Sequence, residues 1–200
     1  MINLYDYYFH FTNGSTRDEN QVPVSLKHLT SILKSGYILS RNKQVERLGY
    51  FNEGFKNANW NGEDYVSICQ IQNNINDEYV DEDENAFQLF SSTHSISLIL
   101  NKELLYESQK RRYYWHMQGE VQIKDQISSK YFEGIGIKLD DYFIPRIRHD
   151  AELLKRTLEN DKKIIIAIKE ILDQNQIDLP IISLNNGDDA IEYLEKVKVL

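Results

Sequence analysis

The sequence predicts an α+β fold, and three observations carry that prediction. Aromatic and β-branched runs favouring strands open the chain and recur through its middle. Apolar residues at helical spacing dominate its last quarter. The order is strand, helix, long loop, several strands, then helices, which is not the alternation of a doubly wound sheet.

Residues 4–12 are dense in Tyr and Phe and read as a strand buried on both faces or nearly so. Asn13, Gly14 and Ser15 break it. Ser25 suits a helix N-cap, Leu26, Leu29, Ile32 and Leu33 follow at helical spacing, and Gly36 stands where a C′ glycine belongs. Residues 40–62 are polar, rich in Asn and Gly, and carry Arg41, Arg47, Tyr50 and Trp60. They read as a long loop with a helical turn, and long loops inside compact domains are often functional. Residues 64–69 form a strand, and the acidic run 77–84 an exposed connection.

Residues 95–100 are a clear strand. The basic and aromatic stretch 110–116 leads into another at 119–123, and 133–137 is a further short strand whose glycines mark close approach. Over 147–173, Leu153, Leu154, Leu158, Ile164, Ile165, Ile168 and Leu172 set a helical period. A short strand at 179–184 and a turn at 185–189 follow, with Asp188 or Asp189 capping a last helix through Lys196. The expected organisation is a core over residues 1–140 and a helical extension, 141–200, packed on the same domain.

Two hundred residues suit one domain large enough to bury a core. Cys69 is the single cysteine, which excludes a disulfide framework and a cysteine-based zinc site. Apolar runs are too short to span a bilayer and no signal-peptide pattern opens the chain, so a cytoplasmic protein away from membranes is expected. The net charge of -8 argues against a broad, non-specific grip on nucleic acid, though a local basic groove fits it. The 13 Tyr, 8 Phe and 2 Trp suit core packing, and equally stacking on nicotinamide or nucleobases. Neither a phosphate-cradling glycine loop nor a zinc-protease helix occurs, and Gly134 with Gly136 is no dinucleotide fingerprint.

Three islands could carry chemistry. His10 ends the first strand between Phe9 and Phe11, a setting that also suits an ordinary sheet histidine. The loop from Arg41 to Tyr50 holds arginines that could simply be solvated. Glu120 interrupts an apolar strand, so it must face water or sit in a cleft with partners.

The order of these islands resembles the mono-ADP-ribosyltransferases of the DarT type. The resemblance lies in Tyr8 to Thr12, the helix from Leu29 to Gly36, the following Leu39, Ser40 and Arg41, and the later block from Gln118 through Glu120 to Phe132. It covers scattered pieces of residues 5–137. It implies a split antiparallel or mixed sheet flanked by helices, with NAD as substrate and no metal. Enzymes of that class cleave the bond between nicotinamide and ribose through an oxocarbenium-like transition state.

By position, the resemblance makes Glu120 the carboxylate that stabilises this cation. His10 would hydrogen-bond a ribose, and Thr12 and Asn13 would seat the nicotinamide amide. Arg41 would meet the pyrophosphate, with Arg47 the alternative. Tyr50 or Tyr65 would stack on nicotinamide, and Ser67 would line the cleft. Gln118 would orient the acceptor, with Arg112, Tyr114 and His116 beside it. The acceptor so implied is single-stranded DNA or RNA, or else a protein, and the role that of a bacterial toxin or phage-defence effector. The alternative is a non-catalytic relative that binds an antitoxin protein or a nucleotide-derived signal.

Overall fold

The computed structural model describes residues 1–12, 24–48, 64–71, 87, 91, 96–107, 111–113, 119–138 and 151–197. The fold is α+β. Among the described residues its main sheet has seven strands: β1 (Tyr7–Phe11), β3 (Tyr65–Cys69), β4 (Ile96–Asn101), β5 (Arg111–Tyr113), β6 (Glu120–Lys124), β8 (Phe132–Ile137) and β9 (Ile181–Ser183). They lie in the order β5-β6-β3-β1-β4-β8-β9. Every neighbouring pair is antiparallel except β8 and β9, which run parallel. A separate antiparallel pair joins β2 (Tyr37–Leu39) to β7 (Gln126–Ser128).

The helices are α1 (Val24–Ser35), α2 (Arg41–Leu48), α3 (Glu103–Glu107), α4 (Ala151–Gln174) and α5 (Ala190–Val197). Gly36 ends α1 with φ of +71°, the left-handed conformation expected of a C′ glycine. Asp189 starts α5, its Oδ1 accepting from Ile191 N at 2.9 Å and Glu192 N at 3.2 Å. Between β8 and β9 the chain passes through α4, the crossover that a parallel pair requires.

Some boundaries differ from the sequence reading. The first strand begins at Tyr7, because Asn3 accepts from Tyr5 N and turns Leu4–Asp6 into a 3-10 helix. Within the expected loop at 40–62, Arg41–Leu48 is helical, started by Ser40, whose carbonyl accepts from Gln44 N at 2.9 Å. α3 starts where Asn101 Oδ1 accepts from Glu103 N at 2.8 Å.

Side chains alternate across a strand, so the sheet has two faces. One carries Tyr8, Val66, Ile68, Leu98, Val121, Ile123 and Ile135. These share a core with Leu29 and Ile32 of α1, Ile165 and Ile168 of α4, and Leu194 of α5. The other face gathers Phe9, Phe11, Cys69 and Ile99 with Leu4, Ile182, Leu184 and Phe87. The Phe87 ring meets Phe9 and Phe11 edge-on, with centroids 5.0 and 5.5 Å apart. Gly136 lets this second face close. A Cβ there would stand 2.5 Å from Ser97 Oγ and 2.6 Å from Leu184 Cδ2.

Candidate functional site

A row of register partners crosses four strands: Ile99 of β4, Phe9 of β1, Cys69 of β3 and Glu120 of β6. Partners in register point to the same face. Glu120 therefore stands on the Phe9 face, at the first position of β6, and Val121 on the helix-covered face. Two residues on, Gln122 shares the Glu120 face and pairs with Ser67 of β3.

Glu120 is only 4 % exposed and Gln122 only 2 %. Gln122 Nε2 donates to Glu120 Oε1 at 3.3 Å. Glu120 Oε2 is buried with no hydrogen-bond partner among the described residues. A carboxylate out of water needs partners, so among the described residues this oxygen is a vacant acceptor position. Cys69 beside it is a buried free thiol. Burial first, and the Glu120 charge second, push that thiol well above its ordinary range, so it stays protonated. Its Sγ donates to the Phe9 carbonyl at 3.7 Å.

His10 lies on the opposite face. Its register partner is Leu98, in the helix-side core, and its ring stands 6.3 Å from that of His28 on α1. His10 Nδ1 donates to the Ser67 carbonyl at 2.9 Å. The resemblance gave His10 a ribose and Glu120 the electron-poor sugar carbon of the same NAD, but His10 stands one residue off the Phe9–Cys69–Glu120 row, so the sheet lies between the two side chains. His28 is largely buried, which lowers it to about 4 and keeps it neutral near pH 7.

Ser67 and Tyr65 occur on the Glu120 face of β3, one and two register steps from Cys69 along that face. Thr12 is fully buried and its hydroxyl donates to the Ile96 carbonyl at 3.1 Å, which extends the β1–β4 ladder past Phe11. Arg41 is half-buried at the first position of α2. Ser40 N donates to the Asp125 carbonyl at 2.8 Å, which ties this helix start to the far end of β6. Five residues of strand, about 17 Å, separate that point from Glu120. Arg47 is exposed and stacks its guanidinium 5.0 Å from the centre of the Tyr37 ring. Arg112 belongs to β5 and is the register partner of Gln122. Asn13, Tyr50, Tyr114, His116 and Gln118 lie outside the described residues.

The sequence reading missed Gln122. The signal was available, because a polar residue two positions after a buried Glu on a strand must share its face.

No family model matches the chain, and comparison with curated proteins finds no match. Among the described residues, no group of three His, Cys, Asp or Glu side chains could hold a metal ion. No helix among them is long and apolar enough to cross a membrane.

Proposed function

We propose that this chain is an NAD-dependent mono-ADP-ribosyltransferase with Glu120 as its carboxylate. The observation that supports it is the vacant Oε2 of a buried Glu120 at the start of β6, with Oε1 held by Gln122. In the proposed reaction the bond between ribose C1′ and the nicotinamide nitrogen breaks, and that electron pair leaves with nicotinamide. The sugar carbon becomes electron-poor. Glu120 accepts a ribose hydroxyl at Oε2 and sets its negative charge beside this carbon. An acceptor nucleophile then bonds to C1′ and gives up its proton. The acceptor favoured is a nucleic-acid base, with Arg112 on β5 as a contact, in a toxin or phage-defence effector. His10 has no part in gripping that sugar, since it lies on the other face.

Incubation with NAD tests the reading. The expected result is nicotinamide release, and ADP-ribose adducts by mass spectrometry on DNA, RNA or protein. Both disappear in Glu120→Gln, which keeps the shape and the Oε1 contact. Wild-type protein that releases no nicotinamide and labels none of the three acceptors ends the proposal.

The placement of His10 favours a second reading, a non-catalytic binding protein with the same general fold. It predicts a raised melting temperature with a nucleotide ligand and no turnover, because a ligand that binds only the folded state must stabilise it.

A further inference from the structure

We infer that Gln122 is a positioning residue for Glu120, an inference that rests on the transferase reading above. The two side chains leave the same strand on the same face, two positions apart, and both are out of water. Gln122 Nε2 lies 3.3 Å from Glu120 Oε1. Only the NH₂ end of an amide can donate to a carboxylate, so this contact fixes the amide's orientation as well as the carboxylate's. With Oε1 engaged, the Glu120 carboxylate can turn only by breaking that bond, and Oε2 is left as the oxygen presented to a ligand. The titratable and charged residues that the register sets on this face are Cys69 and Tyr65 of β3, Lys124 of β6 and Arg112 of β5. Gln122 thus sets which oxygen meets the ribose and at what angle, while touching no reacting atom itself.

Two substitutions test this: Gln122→Met, which keeps the volume and removes the donor, and Gln122→Glu, which keeps the shape and makes donation depend on a proton. Steady-state nicotinamide release is followed from pH 5 to pH 8. Gln122→Met is expected to lower kcat at least about tenfold, the effect of losing a hydrogen bond to a charged group, with KM for NAD within about twofold. Gln122→Glu is expected to be as impaired as Gln122→Met at pH 8. Its activity relative to wild type then recovers on acidification, when a proton shared by the two carboxyl groups restores the donor. Wild-type kcat in Gln122→Met, or a Gln122→Glu to wild-type ratio that does not change with pH, overturns the inference.

Melting temperature supplies a readout independent of turnover. Two buried carboxylates side by side should lower it in Gln122→Glu at pH 8 and release it at pH 5. An unchanged difference from wild type across that range means the two side chains do not meet, and the inference fails whatever the activity. Absence of nicotinamide release from wild type, with this melting signature intact, sinks the transferase reading and the positioning role with it, while leaving the contact itself established.

Discussion

Replacing His28 with Leu should remove a large part of the protein's sensitivity to mild acid. His28 is lowered from 6.5 to about 4 by burial, and its Nδ1 has no hydrogen-bond partner among the described residues. The unfolded chain takes up this proton as pH falls below 6.5, whereas the folded protein resists until about 4. Unfolding therefore gains protons across that window, and stability present above 6.5 is lost as pH falls. Linkage between those two values gives a loss of about 2 kcal/mol from pH 7 to pH 5, and about 3 kcal/mol once both states are protonated. Urea unfolding of wild type and His28→Leu at both pH values isolates the term. The wild type should lose about 2 kcal/mol more than the variant between pH 7 and pH 5. Equal losses in the two proteins would refute the assignment of a neutral, buried His28.

Gly136→Ala should destabilise by about 1–3 kcal/mol, because its Cβ would collide with Ser97 and Leu184 where the second face closes, as read by the urea midpoint. Asp189→Ala should cost about 1 kcal/mol through loss of the α5 cap, while Asp189→Asn should retain most of it in the same assay. Glu120→Gln should abolish nicotinamide release with little change in melting temperature, since the amide occupies the same volume on the same face.

What could be read from the sequence tracks how local each determinant is. The strands at Tyr65–Cys69, Ile96–Asn101 and Phe132–Ile137 announce themselves through apolar runs that stay buried whichever strand they pair with. α4 is equally plain, because Leu158, Ile165, Ile168 and Leu172 recur at the helical period. Tyr37–Leu39 forms a strand only by pairing with Gln126–Ser128, far along the chain, and three residues carry no pattern of their own. α2 escapes for another reason: Arg41–Leu48 is nearly all polar, so there is no apolar stripe to count.

The candidate site divides the same way. One carboxylate in an apolar strand left two choices for Glu120, water or a cleft with partners, and alternation would have added Gln122, which the sequence reading passed over. The face taken by His10 did not. It depends on the register that sets Phe9 opposite Cys69, and a slip of one residue would have exchanged the faces.

The parallel partnership of β8 with β9 has a consequence for biosynthesis. Forty or so residues, most of them in α4, must be made after Ile137 before Ile181 can dock. During that interval β8 is the border of the growing sheet, offering unpaired amides and carbonyls beside the apolar Ile135 and Ile137. Closing so long a connection is slow compared with forming α4 itself. The nascent chain thus passes through a period in which this border is open, until β9 emerges from the ribosome and seals it.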